Sequence, residues 1–126
     1  NPNVKNKIHE RLGNFDNIHL LTPLDYPYLV YLMEHAKLIL TDSGGIQEEA
    51  PSFACPTLVM RYETERKEGV EAGVSKLVGA DYDKILSESE KILASTKDLT
   101  RLKAQNPYGD GTASRQIVEI IDKYFD

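Results

Sequence analysis

Short apolar runs alternate with helix-period segments along nearly the whole chain, and this alternation most narrows the folds open to it. Lys37-Leu38-Ile39-Leu40-Thr41 is almost continuously apolar, and Thr57-Leu58-Val59-Met60 is entirely free of charge. Strands without a polar face must be covered on both sides, which is the environment of parallel strands in an α/β sheet. Asn17-Ile18-His19-Leu20-Leu21 reads as an earlier strand of the same kind. Val74-Ser75-Lys76-Leu77-Val78, closed by Gly79, reads as a later one. The expected architecture is a Rossmann-like, doubly wound α/β fold: a parallel sheet sandwiched by helices.

The intervening segments carry the helical period. Asp25 is placed to cap a helix with Pro27 in its first turn and Leu29, Leu32, Met33 and Ala36 on its apolar face. A short helix after Asp42-Ser43-Gly44-Gly45 has Ile46, Ala50 and Phe53 on one face and ends near Pro51 and Pro56. From Asp81 a longer helix turns Ile85, Ser89, Ile92 and Leu93 inward. A weaker helix is expected over residues 97–104, then a turn at Asn106-Pro107-Tyr108-Gly109-Asp110-Gly111. A final helix over residues 112–125 has Ile117, Ile120, Ile121 and Tyr124 as its stripe. Repeats and low-complexity stretches are absent.

The 126 residues suffice for one domain with a core, and 40% hydrophobic with 28% charged residues is a globular composition. The chain opens Asn1-Pro2-Asn3 rather than on Met, and is read as a portion of a longer protein. A net charge of −5 argues against a broad nucleic-acid or membrane surface, neither of which is expected as a partner. It leaves room for one phosphorylated ligand held by backbone amides. Cys55 is the single cysteine, in the apolar setting Phe53-Ala54-Cys55-Pro56, so a buried inert thiol is expected rather than a nucleophile. A cytoplasmic setting fits it.

In a parallel α/β sheet, ligands bind beyond the carboxyl ends of the strands, which directs attention to the loops leaving Leu21, Thr41 and Met60. After Thr41 comes Asp42-Ser43-Gly44-Gly45-Ile46-Gln47-Glu48-Glu49, a strand-to-helix turn with two glycines. Gly44 and Gly45 remove side chains so that a ligand can approach the backbone, and the first helical turn presents amides suited to an anion. Ser43 adds a hydroxyl. A phosphate or diphosphate site stands here against an ordinary capped helix. Glu49 suits ribose hydroxyls, or else is a solvated helical glutamate.

After Met60 comes Arg61-Tyr62-Glu63-Thr64-Glu65-Arg66-Lys67-Glu68. Arg61 and Arg66 can meet a diphosphate with charge-assisted hydrogen bonds, or they can pair with their own glutamates. His9 and His35 are expected on helix surfaces and His19 in a strand. Their spacing fits no metal site, and none is assigned a role.

At this point the motifs become recognisable. The run from Leu40 to Pro51, Leu-Thr-Asp-Ser-Gly-Gly-Ile-Gln-Glu-Glu-Ala-Pro, resembles the signature of the non-hydrolysing UDP-N-acetylglucosamine 2-epimerase family. Arg61 followed by Thr64-Glu65-Arg66 is similar too, as are Asn106-Pro107-Tyr108-Gly109-Asp110-Gly111, the stretch around Asp25-Tyr26 and the opening Asn1-Pro2-Asn3-Val4. The resemblance covers essentially the whole chain in order.

It implies the C-terminal half of a two-domain enzyme of the glycosyltransferase-B (GT-B) type. Residues 1–126 would form its UDP-binding domain. An absent N-terminal domain would carry the acid–base carboxylates, so no catalytic residue is assigned here. The resemblance implies that Ser43, Gly44 and Gly45 hold the diphosphate, Glu49 the ribose and Arg66 the UDP-sugar, with the backbone around Leu24 and Leu29 bordering uracil. The implied reaction interconverts UDP-GlcNAc and UDP-ManNAc by eliminating and re-adding UDP, with no external cofactor and no metal, in a protein that is a homodimer when intact.

Departures from the family pattern are Ala54-Cys55 in place of Gly-Lys, Lys67 in place of a proline, and Leu24 and Leu29 in place of Gln and Phe. Other readings are the nucleotide-sugar half of a GT-B glycosyltransferase, a hydrolysing epimerase, and a non-catalytic nucleotide-binding module.

Overall fold

The computed structural model describes residues 2–95 and 106–125. The helix expected over residues 97–104 lies outside them. The chain divides into two compact units, Asn1–Val30 and Tyr31–Asp126. In the first unit, helix α1 (Pro2–Leu12) closes with the Gly13 amide donating to the His9 carbonyl at 2.9 Å. An irregular stretch follows, then the start of helix α2 (Tyr26–His35), which continues into the second unit. The Asp25 carbonyl accepts from the Tyr28 and Leu29 amides, so the helix starts where Asp25 and Pro27 predict.

Asn17-Ile18-His19-Leu20-Leu21 is not a strand, and this corrects the sequence reading. A strand exists only through its ladder, and within these five residues the backbone bond formed is a turn, Ile18 amide to Phe15 carbonyl at 3.1 Å. An apolar run signals what a segment could bury, not whether a neighbour is there to pair with it. The loop after Leu21 is consequently not a strand end.

The second unit contains a parallel sheet of β1 (Ile39–Thr41), β2 (Thr57–Val59) and β3 (Ser75–Leu77), in that order. Ile39 pairs with Thr57 and Thr57 with Ser75, and the register runs on to Thr41, Val59 and Leu77 at the carboxyl ends. All three residues of β2 are buried, as its position between two neighbours demands. Leu40, on a flanking strand, stays 45% exposed. Helix α3 (Gly44–Glu49) and a 3-10 turn (Ala50–Phe53) connect β1 to β2, and helix α4 (Lys67–Glu71) connects β2 to β3. Helix α5 (Tyr82–Leu93) packs against β2. Its Asp81 cap accepts from the Lys84 amide at 2.9 Å. Helix α6 (Ala113–Phe125) ends the chain.

Leu58, Val59, Val74, Val78, Ala50, Pro51 and Cys55 form the core of this unit. The faces these helices present differ in part from their sequence pattern. The deepest side chain of α3 is Gln47, at 1% exposure, while Ile46 is half-buried. Leu93 on α5, expected to face inward, is exposed at the last residue of the helix. The stripe Ile117, Ile120, Ile121 and Tyr124 on α6 has the predicted period but is exposed.

The turn that ends the 3-10 segment is kept without glycine. Ala54 adopts φ 55°, and its amide donates to the Pro51 carbonyl at 3.1 Å. The left-handed conformation costs an alanine about 1 kcal/mol, which its buried methyl offsets by ~0.8 kcal/mol. Cys55 next to it is buried, and its thiol donates to the Ala36 carbonyl at 3.3 Å. Burial pushes this thiol up to about 11, so it is a protonated structural group near neutrality.

Candidate functional site

The sheet register brings two loops together at the carboxyl end. The Met60 amide donates to the Thr41 carbonyl at 2.8 Å, and the Gly79 amide to the Arg61 carbonyl at 3.1 Å. Backbone pairing thus continues past the ends of β2 and β3. It sets Asp42-Ser43-Gly44-Gly45 beside the segment from Arg61 to Arg66.

Thr41 shapes the first loop: its hydroxyl accepts the Ser43 amide at 3.0 Å, turning the chain sharply out of β1. Ser43 then holds extended dihedrals, φ −80° and ψ 129°, at the N-terminal boundary of α3. Its side chain makes no capping bond, so the hydroxyl is left for other use. The opening amides of a helix have no intrahelical acceptor, and here they belong to Gly44, Gly45 and Ile46.

The two glycines do different things. A Cβ on Gly45 would meet only the Glu49 carboxylate and the Ser43 hydroxyl, both at 3.9 Å, so this face of the loop is open. A Cβ on Gly44 would come within 3.3 Å of the Arg66 guanidinium carbon. Gly44 therefore lets Arg66 lie against the loop backbone. The structure brings Ser43, Gly44, Gly45, Glu49 and Arg66 into one neighbourhood, and Glu49 lies one turn along the helix from Gly45.

Arg66 is held at both ends. Its backbone amide donates to the Thr64 hydroxyl at 3.1 Å, and its carbonyl accepts from the Tyr108 hydroxyl at 3.4 Å. Its Nε meets Glu48 Oε1 at 2.6 Å, and a terminal nitrogen meets Glu65 Oε1 at 2.8 Å. The Glu48 bond comes first among the causes that hold the Arg66 guanidinium more firmly charged than usual. Arg61 pairs with the other oxygen of Glu65 at 3.1 Å. The Glu65 carboxyl is held below its usual value, first by a hydrogen bond from its own backbone amide and then by Arg66 and Arg61. The self-paired arrangement that competed with anion binding is thus the one present. These ion pairs are largely solvent-facing, and such pairs contribute about 1 kcal/mol or less. A diphosphate offering several charge-assisted hydrogen bonds can displace them.

Sequence reasoning missed the side chains that tie the two loops together. Gln47 and Thr64 hydrogen-bond at 2.8 Å in a buried position. In the sequence Glu48 is only part of a motif, yet it is the nearest ion-pair partner of Arg66. Tyr108 stands in the sequence as a turn residue. Its hydroxyl also accepts the Gly69 amide at 3.0 Å, and burial is the first cause that raises its ionisation above the usual tyrosine value. The available signals were a polar residue at an inward helical position, Gln47, and an aromatic inside a glycine-rich turn, Tyr108.

Leu24 and Leu29 belong to the first unit: Leu24 is exposed ahead of α2, and Leu29 is half-buried within it. His9 lies on α1 and His35 on α2, as expected, while His19 is exposed in the irregular segment. Among the described residues no helix is long and apolar enough to cross a membrane.

The profile of a family described as UDP-N-acetylglucosamine 2-epimerase matches residues 1–122. This chain belongs to that family. A Campylobacter jejuni relative named UDP-N-acetylglucosamine 2-epimerase is 51% identical over 124 residues, covering 98% of this chain and 32% of its own. Among solved structures, the Neisseria meningitidis UDP-GlcNAc 2-epimerase bound to UDP-GlcNAc superposes with a TM-score of 0.84. It is 44% identical, over 98% of this chain and 34% of that one. S. aureus MnaA in a co-structure with UDP gives 0.84 at 43% identity, over 99% and 34%. The chain spans about a third of the length of the curated relatives it matches. Its sheet and helices are accordingly the α/β fold of one part of these longer epimerases.

Proposed function

We infer that residues 1–126 act as the UDP-binding domain of a UDP-N-acetylglucosamine 2-epimerase, interconverting UDP-GlcNAc and UDP-ManNAc by elimination and re-addition of UDP. The observation that carries this reading is the placement of Arg66 against Gly44 at the mouth of the Ser43-Gly44-Gly45 turn. A positive side chain and a row of helix-opening amides there converge on one spot. That arrangement suits a diphosphate better than a single phosphate, because two anionic centres need donors from two sides. Ser43, Gly44 and Gly45 would hold the diphosphate, and Glu49 would accept from the ribose hydroxyls.

In elimination the diphosphate is a leaving group, and negative charge builds on it as the bond to the sugar breaks. Donors fixed in advance at that position lower the barrier as well as binding the nucleotide. Arg66 is the strongest of them, since its charge is permanent and its fork fits two oxygens at once. The carboxylates that move the proton at the sugar's C2 would come from the rest of the protein, as would the contacts of a homodimer. Two of the relatives' structures hold UDP or UDP-GlcNAc, and the family match favours an epimerase over a GT-B glycosyltransferase. We propose a cytoplasmic setting, which a single buried, protonated thiol at Cys55 fits.

The test joins this chain to the remaining two thirds of the Campylobacter jejuni relative and follows UDP-GlcNAc by proton NMR. The chimera is expected to form UDP-ManNAc, the 126-residue chain alone to form none, and Arg66→Ala in the chimera to lower turnover at least about tenfold. Release of free ManNAc and UDP instead would mark a hydrolysing enzyme. Turnover by the chain alone would refute the division of labour.

A further inference from the structure

We propose that Gln47 and Thr64 are positioning residues, forming a buried hydrogen-bonded relay that sets Arg66 at a fixed distance from the Ser43-Gly44-Gly45 loop. The proposal deepens the preceding reading and rests on it. The relay has a single direction. The Arg66 amide donates to Thr64 Oγ at 3.1 Å, and that hydroxyl donates to Gln47 Oε1 at 2.8 Å. Gln47 Nε2 then donates to the Ser43 carbonyl at 3.3 Å. A threonine hydroxyl has one proton to give, so accepting from Arg66 and donating to Gln47 commits it. With the oxygen of Gln47 turned to Thr64, its amide nitrogen must face Ser43, and the network itself fixes which way the amide points.

Packing alone does not explain these residues. Gln47 is 1% exposed and Thr64 8% exposed, and an apolar pair of the same volume would fill this space without desolvating an amide and a hydroxyl. The polar pair adds a defined spacing between two loops that meet at the strand ends. Glu48, the neighbour of Gln47 on α3, grips the Arg66 side chain while the relay grips its backbone. Both ends of Arg66 are therefore referenced to the helix that opens with Gly44 and Gly45. Donors that must reach two oxygens of one diphosphate lose most of their value when misplaced by about 1 Å.

The experiment is a double-mutant cycle on UDP affinity, measured calorimetrically with the full 126-residue chain. Thr64→Val keeps the shape and removes the hydroxyl. It is expected to weaken UDP binding about tenfold when Arg66 is present and less than about twofold in an Arg66→Ala background. Thr64→Ser, which restores the hydroxyl, is expected to bind like the unmodified chain. Circular dichroism checks that each variant is folded, and Gln47→Met tests the same relay from its other end if Thr64→Val is not. Equal losses in both backgrounds, or no loss in a folded Thr64→Val chain, overturn the relay while a loss from Arg66→Ala alone leaves the UDP site standing. An unmodified chain that does not bind UDP, or an Arg66→Ala chain that binds as tightly, removes the site and the relay with it.

Discussion

Gly45 is the residue at which the anion-site reading is most exposed to test. The space beyond its Cα is open, so a side chain there costs the fold little. A carboxylate at that position would stand where the diphosphate is to sit, against the opening amides of α3. Gly45→Asp is therefore expected to abolish UDP binding, with stability changed by about 0.5 kcal/mol or less, as read by calorimetry and thermal melting on one sample. The glycine pair is legible in the sequence as a strand-to-helix turn, but an anion site and an ordinary capped helix share that pattern. Arg66 is legible as a candidate, and so is its pairing with the glutamates of its own loop, but its pairing with Glu48 is not. Which carboxylate it meets depends on how α3 and the β2–α4 loop sit side by side, and nothing local encodes that. Gln47 was illegible for the opposite reason. A glutamine among glutamates reads as solvent-facing unless a buried partner is known, and the partner is 17 residues away.

At the scale of elements, the connection between α4 and the turn ahead of α6 has a steric prediction of its own. A Cβ on Gly69 would come to 2.6 Å from the Tyr108 hydroxyl, closer than atoms pack, and to a tight 3.1 Å from the Ser75 hydroxyl. Gly69→Ala must displace Tyr108 and is expected to cost about 1–3 kcal/mol. Tyr108→Phe keeps the ring and loses only the hydroxyl that serves the Gly69 amide and the Arg66 carbonyl, at about 1 kcal/mol. Chemical denaturation should rank the two in that order, and the reverse order would mean that Tyr108 does not hold α4.

Between β3 and α5, Glu88 bonds Lys76 at 2.6 Å and Lys91 at 2.8 Å, which holds its carboxyl down to about 2 from an ordinary 4.5. A carboxyl lowered in the folded chain favours the fold wherever it is ionised. Its contribution is complete above the ordinary value and is lost as pH falls from 4.5 toward 2. The melting temperature of Glu88→Gln should lie below that of the unmodified chain near neutrality and converge with it by about pH 2. A constant gap across that range would show that the ion pairs carry no linkage. The elements themselves were read from period and caps, and β1, β2, β3, α2 and α5 lie where those signals put them. Asn17-Ile18-His19-Leu20-Leu21 shows the limit of such reading, since apolar content is local and strand pairing is not.

For the whole molecule, the informative feature is the exposed stripe on α6. Its period was plain in the sequence, whereas what covers it was not, because a covering surface belongs to other residues. Ile117, Ile120, Ile121 and Tyr124 all remain exposed in a chain that spans about a third of its relatives' length. The second unit nonetheless has a buried core and a loop network in which Arg66, Thr64, Gln47 and Ser43 are connected without a gap. The proposed diphosphate contacts, Ser43, Gly44, Gly45 and Arg66, all lie in this second unit. The most direct measurement is therefore calorimetric titration of the 126-residue chain with UDP, using ADP as the control and Glu49→Ala as the second sample. The account predicts saturable UDP binding, much weaker ADP binding, and a loss of UDP affinity of about tenfold in Glu49→Ala from the missing ribose contact. Equal binding of UDP and ADP, or an affinity unchanged by Glu49→Ala, would contradict it.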